Sequence, residues 1–401
     1  MEINYGDKLK IIKKNRSYRT GFGGSIEIKD CARIKLDSNE QVTFQNKNFL
    51  YDFCKKNWGY YSTPSINKRL KNNGFEVYLI ENLTGDIYLW SVENYKKNEF
   101  LDYLKKENQK IIVRLDNINS PKDIIKNIKK NYEINCKCPA SKKIKNNTTL
   151  LYSYAKPPKG EPNYGIPAYK RKIIKCNVCN HCRAEHGIDT KKFYLENYSV
   201  ISHGKNIKAK FKQVLNLKKK SDNYFRVKRF LEFFKNKINT KIKLLDIGSG
   251  LSVFLYALSK KVKWDIRGIE PDLNFVNFAK KQLKLNVTRS TLEKNKKQRQ
   301  YDIITLNKVI EHVKNPTLFL KKTNRILGDN GYVYIEVPDG EAASQAKNSK
   351  DREEFYVDHL HAFSLKSLAN SVKCANFKLL KIDKILEPSG KLTIYAFAKK
   401  I

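Results

Sequence analysis

From residue 240 to the end of the chain, short apolar runs alternate with polar, helix-compatible stretches. Leu244, Leu245 and Ile247 flank Asp246 as in a buried parallel strand, and the run leads into Gly248 and Gly250 before an apolar helical segment over 253–261. Such a turn needs glycine, because the chain bends through angles that a Cβ forbids and a ligand must come close to the main chain. Residues 264–270 read as a second strand ending in Glu270, about 20 residues past the second glycine, where doubly wound folds place a carboxylate on ribose hydroxyls. A helix follows from Asp272, with Phe275, Phe278, Ala279 and Leu283 at helical spacing. Residues 301–307 form the next apolar strand. Asn315 and Pro316 cap and open a helix that Gly328 is placed to end, and 332–337 is another strand. This alternation predicts a doubly wound, Rossmann-like parallel sheet with ligands outside the carboxyl ends of its strands. Residues 377–386 and 391–398, joined by Glu387-Pro-Ser-Gly390, add an antiparallel hairpin at one end.

The upstream half reads differently. Residues 1–130 form a small α/β accessory domain, with a hairpin of 74–80 and 86–92 around Thr84-Gly85 and a further strand at 110–115. No catalytic constellation stands out there, and Trp58-Gly-Tyr-Tyr61 suits packing and recognition equally. Over 131–200, Cys136-Lys-Cys138 and Cys176-Asn-Val-Cys179 bracket a proline-rich loop. Four thiolates fit a closed, structural zinc site, so Cys136, Cys138, Cys176 and Cys179 are the expected metal ligands. The first pair departs from the usual two-residue spacing, and His181, Cys182 and His186 are spare donors. Residues 201–239 form a helical connector, in which Phe225, Phe230, Leu231 and Phe234 pack onto the domain at 240–401.

The composition changes this picture little. Among 401 residues, 80 are basic and 40 acidic, giving a net charge of +40. An excess of that size points toward phosphate-bearing partners. The basic residues are scattered, however, and the chain is rich in Lys, Asn and Ile throughout, which reads as compositional bias. No apolar run approaches the ~18 residues of a membrane span, and no secretory signal is evident, so the expected location is cytoplasmic. There the cysteines are to be read for metal and not for disulfides.

Three stretches, Leu245-Asp-Ile-Gly-Ser-Gly250, Gly268-Ile-Glu-Pro-Asp272 and Asn307-Lys-Val-Ile-Glu-His-Val-Lys-Asn-Pro316, make residues 240–401 resemble a class I S-adenosylmethionine-dependent methyltransferase. The resemblance implies that Asp246, Gly248, Gly250, Glu270 and Asn307 hold the cofactor. The knuckle upstream and Asp358-His-Leu-His-Ala-Phe-Ser364 are similar to bacterial sugar C-methyltransferases of surface-saccharide pathways. That similarity implies His359 as a base and His361 as a base or substrate contact. Glu311 and His312 are implied as substrate-facing groups after the fourth strand, with Glu336 and Asp339 as secondary contacts. Two positions depart from the pattern: Ser252 replaces a third glycine, and 287–292 offers no adenine-contacting acid. The implied activity is C- or O-methylation of a small molecule, a nucleotide-linked sugar or related saccharide precursor. The alternative is an RNA methyltransferase docking through its basic N-terminal half. Against that alternative, Asn307-Lys-Val-Ile310 lacks the Pro-Pro-aromatic signature of amino-group methylation, and no catalytic cysteine pair is apparent. A third reading is a binding protein that has lost activity.

Overall fold

The computed structural model describes residues 10–20, 26–46, 49–118, 123–124, 147–190, 193, 198–203, 206–294 and 300–401. The chain divides into two compact units, Met1–Asn135 and Cys136–Ile401.

In the first unit, β1 (Lys10–Thr20) pairs with β2 (Ile26–Lys35), and β3 (Gln41–Asn46), β4 (Phe49–Lys56) and β5 (Gly59–Ser62) form an antiparallel meander. The third sheet has the order β7-β6-β8, from β6 (Phe75–Glu81), β7 (Ile87–Glu93) and β8 (Lys110–Arg114), with α1 (Lys97–Lys106) before the last strand. The expected hairpin is therefore present. Its turn closes through Asn82 Oδ1, which accepts the Asp86 N–H at 2.8 Å. The strands before residue 63 have no counterpart in the sequence reading, because they leave large apolar side chains such as Phe44, Trp58 and Tyr60 exposed. An apolar stripe that is not buried gives no clear alternation.

The second unit opens with β9 (Thr148–Tyr154), β10 (Arg171–Cys176) and β11 (Cys182–Glu185), then α2 (Tyr198–His203), α3 (Ile207–Asn216) and α4 (Asp222–Phe233). The alternating region follows as β12 (Lys243–Ile247), α5 (Val253–Ser259), β13 (Asp265–Glu270), α6 (Leu273–Lys281), β14 (Asn286–Arg289), β15 (Tyr301–Asn307), α7 (Pro316–Ile326) and β16 (Leu327–Pro338). The last elements are α8 (Gly340–Gln345), β17 (His361–Ala362), α9 (Leu365–Cys374), β18 (Phe377–Leu386) and β19 (Leu392–Lys400).

Seven strands form one sheet in the order β14-β13-β12-β15-β16-β19-β18. The first five are parallel, and β19 inserts antiparallel between β16 and β18. Leu244, Leu245 and Ile303 are buried because helices cover both faces, which is why these strands read as continuous apolar runs. Phe230 of α4 and Phe234 just past it join this core against Phe254, Trp264 and Phe397, so the supposed connector belongs to the sheet's own packing. One detail differs from expectation. Gly328 does not end α7 in a left-handed turn; Leu327 is already extended and in register with Tyr301, so the helix passes directly into β16.

A second, four-stranded sheet has the order β17-β11-β10-β9. It joins the cysteine-bearing segment to the segment carrying His359 and His361, since Cys182 pairs with Ala362 and Arg183 with His361. Beneath it lies a fully buried ion pair. Arg171 Nη2 meets Glu161 Oε2 at 3.2 Å, and the guanidinium packs 4.2 Å from the Tyr154 ring. Arg171 Nη1 also donates to the Phe355 carbonyl, while the Val357 N–H donates to Glu161 Oε2 at 2.8 Å. Both charges thus grip the chain just before His359. Removing one partner leaves the other buried and uncompensated, so Arg171→Ala is expected to destabilise the unit by about 3–5 kcal/mol. Adding Glu161→Leu to an Arg171→Met variant should recover most of that loss in chemical denaturation.

Candidate active site

The turn after β12 is shaped by two glycines with positive φ, +70° at Gly248 and +47° at Gly250. A Cβ on Gly248 would stand 2.9 Å from Val309 Cγ2, so this glycine lets the loop after β15 close over the turn. A Cβ on Gly250 would meet nothing within 4 Å, so the main chain there borders open space. Ser252 takes the left-handed conformation at φ +58°, showing that a serine can serve where the family pattern has a third glycine.

Acidic groups at the carboxyl ends of neighbouring strands surround this turn. Asp246 Oδ1 accepts the Thr305 hydroxyl at 2.6 Å and Asn307 Nδ2 at 3.0 Å. Thr305 lies opposite Asp246 in the parallel register, and Asn307 follows two residues later on the same face. Burial drives the Asp246 carboxyl up to about 7, against the pull of those two hydrogen bonds. Glu270 accepts the Gly250 N–H at 2.8 Å and the Asp272 N–H at 3.0 Å, tying the glycine turn to the end of β13. Burial again dominates and raises Glu270 to about 7. Asn307 Oδ1 is buried with no hydrogen-bond partner.

A second group lies just past β15. Ligating atoms of Glu311, His312 and His359 all fall within 4.8 Å of one another, and the two imidazole centroids are 4.9 Å apart. Glu311 is fully buried, and burial raises its carboxyl above the usual range. His312 Nδ1 bonds the Asp358 carbonyl at 2.8 Å, leaving Nε2 on the Glu311 side at 4.0 Å from Oε1. Burial depresses His359 to about 4, so its imidazole is neutral at physiological pH. Lys308 stands close by at φ +58°, with Nζ donating to Thr393 Oγ1 at 2.7 Å.

The remaining sequence candidates are engaged elsewhere. His361 is the first residue of β17, whereas His359 precedes that strand, so the two do not share a strand face. His361 Nδ1 lies 3.0 Å from His181 Nε2, and His181 Nδ1 lies 3.2 Å from Ser367 Oγ. His181, read in the sequence as a spare metal donor, is therefore part of a buried histidine pair. Glu336 is gripped by Arg226 Nε and Arg229 Nη2, each at 2.6 Å; burial pushes its carboxyl up, but the two guanidinium groups outweigh it and bring it down to about 2. Asp339 caps α8 by accepting the Ala342 N–H at 2.9 Å. Cys176 and Cys179 are buried on a knuckle in which the Asn180 N–H donates to the Cys176 carbonyl at 2.8 Å. Cys136 and Cys138 lie outside the described residues. Burial pushes the Cys182 thiol up to about 12.

Comparison with known proteins is consistent with this arrangement. A family model described as a methyltransferase domain matches residues 221–382, a span that includes α4. Among solved structures, the plantazolicin methyltransferase BpumL in complex with SAH is 17% identical, covering 53% of this chain and 96% of that one with a TM-score of 0.41. A possible histamine N-methyltransferase from Thermotoga maritima is 23% identical, covering 44% and 93%, with a TM-score of 0.35. The 1,6-didemethyltoxoflavin-N1-methyltransferase of Burkholderia thailandensis is 12% identical, covering 60% and 99%, with a TM-score of 0.38. No curated protein matches the chain. Residues 221–382 of the second unit thus match a methyltransferase domain. No helix among the described residues is long and apolar enough to cross a membrane.

The raised Asp246 carboxyl has a consequence for stability. Its preference for the protonated form favours folding fully below the ordinary carboxylate range, and that contribution is lost as pH rises through about 7. Asp246→Asn keeps a hydrogen-bond acceptor and cannot ionise. In the absence of cofactor the variant should therefore melt higher than the wild type at about pH 8, by a margin that shrinks toward about pH 5.

Proposed function

We propose that the protein methylates a small acceptor molecule, a nucleotide-linked sugar or related saccharide precursor, with the acceptor lying against Glu311, His312 and His359. The observation that carries this reading is the convergence of those three side chains just past β15, at the same strand ends as the glycine turn. The cofactor supplies an activated methyl group. Asp246, Glu270 and Asn307 would hold it from the strand ends, and the open main chain at Gly250 leaves it room, so the residues present fit that group. What is left to the protein is alignment and, for a hydroxyl or an acidic carbon, removal of a proton. His359 suits that task, because burial keeps it neutral down to about pH 4 and its Nδ1 has no hydrogen-bond partner.

A cavity of about 560 Å³ is lined in part by Arg183, His186, Asp189, Lys314, Leu360 and His361. Its size suits a small ligand. His186 Nδ1 accepts the Ile188 N–H at 3.2 Å, which places the proton of the neutral ring on the unpartnered Nε2. That donor, together with Lys314 and with Arg183, which is shared with Glu185, suits the phosphates of a nucleotide sugar better than an apolar ligand. We further infer that Cys176 and Cys179, on their buried knuckle, hold a structural zinc ion together with Cys136 and Cys138.

Labelled S-adenosylmethionine offered with nucleotide sugars and, separately, with RNA tests the substrate class; label entering RNA alone would overturn this reading. Asp246→Ala should abolish cofactor binding. His359→Ala should retain it and lower turnover by about 10²–10⁴-fold. Because His359 is already neutral, the wild-type rate should not fall from loss of the base between about pH 8 and about pH 5.

A further inference from the structure

The Glu311–His312–His359 cluster is unusual in its balance of donors and acceptors. Both carboxylate oxygens of Glu311 are buried and without a hydrogen-bond partner, as is His359 Nδ1. Each histidine uses its other ring nitrogen on the main chain: His312 Nδ1 meets the Asp358 carbonyl at 2.8 Å, and His359 bonds the backbone of Glu354. His312 Nε2 lies on the Glu311 side of its ring, 4.0 Å from Oε1, and a neutral His359 that donates to a carbonyl through one nitrogen carries a lone pair on the other, Nδ1. A buried carboxyl group with no side-chain donor within hydrogen-bond distance is costly.

Among the described residues no neighbouring side chain donates a hydrogen bond to Glu311. His312 and Lys308 both act on the Glu311 carboxyl, but His312 Nε2 stands 4.0 Å from Oε1 and Lys308 Nζ is directed to Thr393 Oγ1. Arg226 and Arg229 are spent on Glu336. Asp358 adds negative charge next to both Glu311 and His359. Main-chain carbonyls behind imidazole ligands are the usual outer shell of protein metal sites, where they orient the ring and raise its basicity. Two imidazoles and one carboxylate are a donor set found for zinc and for other divalent first-row ions with open positions.

We propose that Glu311, His312 and His359 bind a divalent transition-metal ion, with His312 Nε2, His359 Nδ1 and the Glu311 carboxylate as ligands. Three protein ligands leave coordination positions free for an acceptor oxygen. An ion held there would lower the proton affinity of a bound acceptor hydroxyl, so that its proton could pass to solvent water as the oxygen takes the methyl group, and for such an acceptor it would replace the base role given above to His359. This consequence rests on the methyltransferase reading; the binding of the ion does not.

The test uses the full chain and Mn²⁺ alone, an ion that thiolates such as those of Cys176 and Cys179 hold poorly. Free Mn²⁺ is followed by its electron paramagnetic resonance signal, and S-adenosylmethionine binding is measured in parallel. The expected result is one Mn²⁺ site per chain, displaced by Zn²⁺, with Glu311→Gln and His359→Ala each weakening it at least about tenfold. Melting curves of the variants show that they are folded. If the wild type binds the cofactor but binds Mn²⁺ no better than Glu311→Gln, the metal proposal is overturned and the methyltransferase reading stands. If Mn²⁺ binds and the cofactor does not, the opposite holds.

Discussion

Among the carboxyl groups buried at or just past the carboxyl ends of neighbouring strands, four show how desolvation constrains the structure: Asp246 on β12, Glu270 on β13, Glu311 after β15 and Glu336 on β16. A buried carboxylate must be paired, protonated or offered to a ligand. Each of the four is resolved in its own way. Glu336 is paired with two arginines and lies well below the usual range. Asp246 and Glu270 accept hydrogen bonds from neutral groups only and are pushed up to about 7. Glu311 finds no side-chain donor among the described residues, and burial raises it above the usual range. This gradient of internal satisfaction separates Glu336, which serves the packing of α4, from the three carboxyl groups that we propose to serve cofactor and acceptor.

The cysteine-bearing segment contributes to this arrangement through the chain it holds. Strand β11 pairs with β17, and the Arg171–Glu161 pair is anchored to the backbone at Phe355 and Val357. Those contacts fix both ends of the segment that contains Asp358, whose carbonyl orients His312, and His359 itself. The buried His181–His361 contact adds a side-chain tie between the same two strands. A segment that reads as a separate metal-binding module is thus part of the wall that positions the candidate site, and any loosening of the knuckle would reach His359 through two residues of backbone.

The parallel strands, their helices and the terminal hairpin were legible in the sequence because both faces of the sheet are covered. Burial on two sides forces continuous apolar runs, and the crossover helices force 3.6-residue periodicity between them. Glu270 was legible by its distance from the turn. Thr305 was legible in principle, since it alternates with Asn307 on the face that meets Asp246. The rest depended on contacts distant in sequence. Nothing in the pattern around Arg226 and Arg229 shows that they neutralise a glutamate more than 100 residues away. Nor does the knuckle sequence show that His181 turns to His361 instead of joining the cysteines. The strands before residue 63 were lost for the opposite reason, since ribbons that leave Phe44 and Tyr60 exposed carry no buried stripe to read.

Burial acts in opposite senses on the members of the candidate site, and this shapes its chemistry. It raises the Glu311 carboxyl and lowers the His359 imidazole, so it works against the ion-paired state that a carboxylate and an imidazolium would form in water. A divalent ion held by Glu311, His312 and His359 would turn the carboxylate's burial from a penalty into affinity. The same low-dielectric wall that disfavours protonated histidine therefore favours a site in which positive charge arrives with a ligand, either as an ion or as the sulfonium of the methyl donor. On this chain of +40, the region where chemistry is placed is one where the protein's own cations have been directed away, to Thr393 and to Glu336.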